Sequence, residues 1–313
     1  MLLSQHQNNQ VQRSKFIKQL SLAITCLSAV LTTQIANAET VMEKVARTGV
    51  LTAGTSKDAI PFAYANEQGQ LVGYSVDMLT LIQQKLAQEL GKEIKLELVA
   101  LEPQDRISQL TNHNVDIVCD ASSFTWERDR KIDFSVSYFI TGTRLLVKQN
   151  DALDFTQSLA NKRIGILPGT TSELAIKKAE ATAQIIYVSD RNEGYSALEQ
   201  GTIDAFADDG ILLESWVQAS NNRQSFSIVG YYSQEGIACM TPENNSQLLN
   251  TVNYTLIRFM QSFLAEKPDS IQIFDRWFGV QGILPLSEDL RDLMLENMQL
   301  IIDSKETIPA NEL

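Results

Sequence analysis

Arg128 closes the run Ser122-Ser123-Phe124-Thr125-Trp126-Glu127-Arg128. The short apolar stretch Val115–Cys119 precedes it and reads as a strand, so hydroxyls and a guanidinium arrive together at a strand's carboxyl end. A guanidinium offers a planar fork that matches two carboxylate oxygens, and the hydroxyls supply further donors. The chemistry of such a set is the capture of a carboxylate. Taken alone, the same residues also describe an Arg128 paired with Glu127 or Asp129 on a helix surface, worth at most about 1 kcal/mol.

Two further segments carry groups of the right kind. Pro168-Gly169-Thr170-Thr171-Ser172-Glu173 opens a helix, whose free N–H groups and positive dipole end suit an anion. Thr170 and Glu173 also have the spacing of a capping box, and both uses can hold together. Phe206-Ala207-Asp208-Asp209 lies at a strand end before a helix. An Asp there either caps the helix or faces a cation. His113 falls between a helix and a strand, where it reads as a turn residue. The chain has no Gly-Lys-Ser/Thr phosphate loop and no Gly-x-Ser-x-Gly elbow.

These groups need a scaffold, and the chain reads as alternating strands and helices. Strands are predicted at Val50–Gly54, Ile94–Val99, Arg163–Leu167, Ile185–Val188, Ile203–Ala207, Phe226–Val229 and Gly236–Met240. Helices are predicted at Val76–Leu90, with Met78, Leu79, Ile82 and Leu86 on one face and Gly91 as C-cap, and at Ser172–Ala183, Gly194–Gln200, Ile211–Ala219 and Gln247–Leu264. The alternation predicts an α/β protein with parallel-rich sheets covered by helices.

The first 38 residues read as a cleaved signal peptide. Arg13, Lys15 and Lys18 form a basic start, Leu20–Leu31 an apolar stretch, and Ala36-Asn37-Ala38 a cleavage site. Cleavage takes the 313-residue chain to 275 residues, which suits two domains, and removing three basic residues takes the net charge from −12 to −15. No other long apolar run exists, so no stable membrane insertion is expected after cleavage. So acidic a chain is a poor partner for nucleic acid. Cys119 and Cys239 then remain, and in an oxidising compartment they are either one disulfide or two buried thiols. One histidine and two thiols are too few for an ordinary zinc site.

Asp-Ile-Val, Ser-x-Thr-x-Glu-Arg, Asp-Phe-Ser and Gly-Thr-Arg-Leu-Leu-Val, all within Val115–Val147, resemble the extracellular solute-binding proteins, family 3, that serve polar amino-acid ABC transporters. Within them the chain is most similar to the glutamate/aspartate-binding branch. The resemblance implies a type II periplasmic-binding-protein fold: two sheets flanked by helices and joined by a two-strand hinge. Lobe one would comprise 39–146 plus 236–313 and lobe two 147–235, with Thr141–Gln149 and Ser233–Met240 as the crossing segments. It implies a periplasmic location, a membrane permease as partner, a polar amino acid as ligand (glutamate, aspartate or their amides), no enzymatic activity and no cofactor. A dehydratase-like enzyme on the same scaffold and a soluble amino-acid sensor are the alternative functions. Cysteines at similar places in the branch favour a Cys119–Cys239 bridge.

The resemblance also assigns roles. Ser123 and Arg128 would hold the α-carboxylate, Thr170 and Thr171 its other face, and Asp209, rather than Asp208, the α-ammonium. Arg106 and Arg191 are the candidates for a side-chain carboxylate. Two positions depart from the pattern. Ala121 stands where the family often has a further Ser, and Ser56, beside Lys57, where the branch carries an Arg. The second departure puts a dicarboxylate preference in question, because a lysine is a point charge and not a fork.

Overall fold

Apolar strands flanked by helical segments have two faces to bury, and the fold solves this twice. The computed structural model describes residues 39–151, 158–220, 223–305, 307–309, 311 and 313; the signal peptide expected at 1–38 lies outside them. In chain order the strands are β1 (Val50–Thr55), β2 (Asp58–Ala59), β3 (Ala63–Ala65), β4 (Leu71–Val72), β5 (Lys95–Ala100), β6 (Ile117–Val118) and β7 (Ile132–Thr141). They continue with β8 (Thr143–Lys148), β9 (Arg163–Ile166), β10 (Gln184–Tyr187), β11 (Ala205–Asp209), β12 (Phe226–Val229) and β13 (Glu235–Pro242). The first sheet has the order β5-β1-β6-β13-β7 and the second β10-β9-β11-β8-β12, while β2, β3 and β4 form a small antiparallel sheet. In each large sheet three strands are parallel and two antiparallel neighbours complete it. The expected α/β class with two helix-flanked sheets is therefore what the chain forms.

The second sheet shows why its strands read as unbroken apolar runs. On β8 Leu145 and Val147 enter one buried cluster and Leu146 the other; on β11 Ala205 and Ala207 enter the first and Phe206 the second. Successive side chains point to opposite faces, and both faces are covered. In the first lobe the helix Tyr74–Leu90 begins two residues earlier than its apolar periodicity predicts. Gly73 permits this, with φ 146° and a position where a Cβ would sit 2.0 Å from Phe62 O. Only glycine tolerates both. Phe62 and Tyr74 flank this turn and are fully buried among aromatic rings, Phe139 and Phe278 included. Each such contact is worth roughly 0.5–1.5 kcal/mol beyond area burial.

Two features bring the halves to one line. The chain leaves the first sheet at Thr141, passes Gly142 and enters the second at Thr143; it returns through β13. At the crossing a Cβ on Gly142 would lie 2.0 Å from Ser233 O, and Thr143 N donates to Ser233 Oγ at 2.8 Å. Next to it β6 and β13 run antiparallel with Met240 opposite Val118, which places Cys119 beside Cys239. Their sulfurs form the disulfide expected from the resemblance, across a sequence separation of 120. Closing so long a loop contributes about 2–4 kcal/mol by restricting the unfolded chain.

Candidate functional site

The segment after β6 has little regular structure of its own, and side chains and backbone from both neighbours fix it. Thr55 Oγ1 donates to Cys119 O at 2.8 Å, Tyr138 Oη to Asp120 O at 2.7 Å, and Ala238 N to Ser122 O at 2.9 Å. The last contact falls where β13 departs from regular pairing with β7, which turns its backbone towards this loop. Asp120, Ser122 and Ser123 are buried as a result. Thr125 then caps a single helical turn, Trp126–Asp129, accepting from Arg128 N at 3.1 Å.

That turn aims Arg128 back across the loop. Its Nη1 donates to Ser123 O at 2.7 Å and its Nη2 to Gly169 O at 2.9 Å. The second bond joins the segment following β6 to the segment following β9, so the guanidinium spans the two halves. Among the described residues no carboxylate forms an ion pair with Arg128, and Glu127 is exposed. Burial, then the nearby charge of Arg106, pulls the Arg128 pKa below its ordinary value. A cavity of 260 Å³ opens here, lined by Arg106, Ser122, Thr125, Arg128, Gly169 and Thr170. Ser123 Oγ is buried and has no hydrogen-bond partner.

Thr170 does cap the helix Thr171–Ala179: its Oγ1 accepts from Glu173 N at 3.4 Å and donates to Leu167 O at 2.8 Å. Glu173 turns back to Gly169 N at 3.0 Å, one residue earlier than a standard capping box. Thr171 is the half-buried first residue of the helix.

The two adjacent acids separate clearly. Asp208 is engaged by Arg191, with Nε to Oδ2 at 2.7 Å. Asp209 stands at the N-cap position of the helix Gly210–Ala219 yet makes no capping bond, and its Oδ1 is buried without a partner. Burial, Asp208 and Glu235 push its carboxyl well above the usual range. Glu235 arrives from the returning crossing: it accepts from Thr143 Oγ1 at 3.4 Å and from Ser233 Oγ, while its Oε2 is buried and unpartnered.

Arg191 is held by two acids from different halves, Asp208 and Asp58, the latter at 2.8 Å from Nη1. Burial opposes its charge, but Asp208 and Asp58 overcome that cost and raise its pKa above the ordinary value. Arg191→Gln leaves the buried Asp208 and the largely covered Asp58 without a counter-charge. It is expected to lower unfolding stability by about 3–5 kcal/mol in denaturant titration. A loss below about 1 kcal/mol, the value of a surface pair, would show the bridge to be idle.

Arg106, the other side-chain candidate, is buried at 4% exposure. Its Nε lies 2.7 Å from Asp120 Oδ2, its Nη1 donates to Ser122 Oγ at 3.2 Å and its Nη2 to Ser56 Oγ at 2.9 Å. Ser56 is thus drawn into the Arg106 environment, whereas Lys57 pairs with Glu102 at 2.6 Å. Sequence reasoning had given no role to Asp58, Asp120 or Glu235. Asp120 lies within Val115–Val147 and Glu235 within the crossing segment Ser233–Met240, but neither belongs to a recognisable motif.

A sequence model of the bacterial extracellular solute-binding proteins, family 3, matches residues 51–280. The glutamate/aspartate import solute-binding protein of Escherichia coli (strain K12) is 30% identical over 243 residues, covering 76% of this chain and 79% of its own length. Among solved structures, an ancestral arginine-binding protein bound to glutamine is similar with TM-score 0.65 and 29% identity over 74% of this chain and 98% of that one. An ancestral amino acid-binding protein, a precursor of cyclohexadienyl dehydratase, is similar with TM-score 0.64 and 25% identity over 76% and 99%.

Proposed function

Because the chain belongs to the bacterial extracellular solute-binding proteins, family 3, and has their two-lobed type II fold, we propose that it is the amino-acid-binding component of an ABC transporter. The ligand lies in the cleft between the sheets. Its α-carboxylate takes the fork of Arg128 with Ser123 Oγ, supported by Thr170 and Thr171, and its α-ammonium takes Asp209. The observation that carries this is the pairing of an Arg128 without a carboxylate partner and an Asp209 without a hydrogen-bond partner at Oδ1. A zwitterion supplies what each lacks.

The two lobes, which part at the crossings beside Gly142 and Ser233 rather than at residue 146, since Thr143–Lys148 joins the second sheet, close over the ligand by bending at the two crossing strands. Ligand contacts on both sides exist only when the lobes meet, so binding selects the closed state. A membrane permease that reads the closed surface then distinguishes loaded from empty protein. The location is periplasmic after cleavage at Ala38; among the described residues no helix is long and apolar enough to cross a membrane. The Escherichia coli relative is named for glutamate and aspartate and one structural neighbour was solved with glutamine, so acidic amino acids and their amides are the first ligands to try. Relatives named for binding favour capture over chemistry.

A thermal-shift panel of the twenty amino acids tests this. One or a few polar amino acids are expected to stabilise the protein by about 2.7 kcal/mol at a hundred times Kd and to be recovered unchanged. Stabilisation by none of them, or conversion of the stabilising compound, would overturn the proposal.

A further inference from the structure

The inference rests on that binding reading and starts from the ionised groups around the cleft. Arg106 and Arg128 line the cavity and Arg191 is the third guanidinium among the candidates, and the three are not in the same state. Arg191 is closed off by Asp58 and Asp208. Among the described residues Arg128 has no ion pair, and its guanidinium donates to two neutral backbone carbonyls, Ser123 O and Gly169 O. Arg106 lines the cavity but carries its own counter-charge: Asp120, fully buried, lies 2.7 Å from Nε. Two hydroxyls lock the pair in place. Ser56 Oγ bridges Arg106 Nη2 at 2.9 Å and Asp120 Oδ2 at 3.1 Å, and Ser122 Oγ bridges Arg106 Nη1 at 3.2 Å and Asp120 Oδ1.

We propose that Asp120 is a specificity-determining residue: a carboxylate built into the protein neutralises Arg106, so that the cleft accepts amino acids with uncharged or cationic polar side chains and rejects acidic ones. A ligand carboxylate brought to Arg106 meets Asp120 as a like charge at the same guanidinium. The charges left without ion pairs point the same way. Arg128 supplies one positive charge, taken by the α-carboxylate, and Asp209 and Glu235 supply two acidic groups, of which the α-ammonium meets one. Among the described residues named at the site, the other cations are engaged, Lys57 by Glu102 and Arg191 by Asp58 and Asp208.

Calorimetry with glutamine against glutamate and asparagine against aspartate isolates charge, because each pair is nearly isosteric. The wild-type protein is expected to bind the amide of at least one pair on the order of 100-fold more tightly than the acid. Asp120→Asn keeps the shape and removes the charge; it is expected to narrow that ratio at least roughly tenfold by freeing Arg106. Should this variant fold poorly, Arg106→Gln with Asp120→Asn removes the pair without leaving a lone charge. The amide-to-acid ratio of that double variant is expected to fall below that of the wild type, because the like charge of Asp120 is gone, and an unchanged ratio would overturn the inference. Glutamate or aspartate bound as tightly as its amide by the wild-type protein overturns the inference and leaves the binding reading standing. An unchanged ratio in Asp120→Asn overturns it too. Failure of all twenty amino acids to bind overturns both.

Discussion

Arg128→Ala is expected to abolish measurable amino-acid binding while the protein stays folded. A buried guanidinium–carboxylate contact is worth about 2–5 kcal/mol when one partner is truncated, a loss of about 30- to 5000-fold in affinity. The fold survives because Arg128 belongs to none of the apolar clusters of the core. Arg128 sits half-buried on a single helical turn, and its partners are two backbone carbonyls. Hydrogen bonds from a charged donor contribute about 1.5–3 kcal/mol each when buried and less where solvent reaches them. The Arg128–Gly169 contact joins the halves, so the variant is also expected to open more readily when empty. Calorimetry reports the affinity and thermal unfolding the fold; wild-type affinity in the variant would remove Arg128 from the site.

Asp209→Asn is expected to do two opposite things at neutral pH: weaken binding on the order of 100-fold and stabilise the empty protein. The sign follows from linkage. Burial and the neighbouring Asp208 and Glu235 raise the folded-state value of Asp209 above its ordinary one. Between the unfolded value, near pH 4, and the folded value, the folded protein binds more protons than the unfolded chain. The stability tied to the protonated carboxyl is therefore complete below about pH 4 and is lost as pH rises to the folded value. Asparagine cannot ionise and carries none of this penalty. For the same reason wild-type affinity is expected to rise with pH through the folded value, since the ligand's ammonium requires the carboxylate, and Asp209→Asn is expected to flatten that dependence. A lower Tm together with undiminished affinity in the variant would contradict the assignment.

Stability and binding thus oppose each other at one residue. An acid held without a partner is costly in the empty protein, and the ligand's ammonium removes the cost on binding. Sites that store strain of this kind are expected to be where function lies.

The regular elements were legible because their physics is local. The helix of Met78, Leu79, Ile82 and Leu86 follows from a 3.6-residue period and its glycine stop, and His113 proved to be an exposed turn residue with φ 56°. The small sheet of β2, β3 and β4 was missed because its strands have only two or three residues, too few for a period to show. Contacts across long separations were illegible from pattern alone. The place of β13 beside β6 and β7 rests on pairing between segments some hundred residues apart; the resemblance implies the return of 236–313 to the first lobe but not those neighbours.

The candidate site divides the same way. Arg128, Ser123 and Thr125 lie within six residues, and one helical turn brings them together. Asp120 shares that stretch, but its partner Arg106 comes from another helix. Nothing in either segment reveals that the two charges meet. Asp208 and Asp209 looked equivalent as letters. Strand alternation sends them apart, one to Arg191 and the other to an unpartnered place.

A crystal structure of the protein with a bound amino acid is the most direct test of ligand capture by Arg128. The expected result is the α-carboxylate on the Arg128 guanidinium at about 2.7–2.9 Å, with the ammonium at hydrogen-bond distance from Asp209. A ligand seated in the cleft with its α-carboxylate elsewhere, and Arg128 still bound only to Ser123 O and Gly169 O, would contradict it.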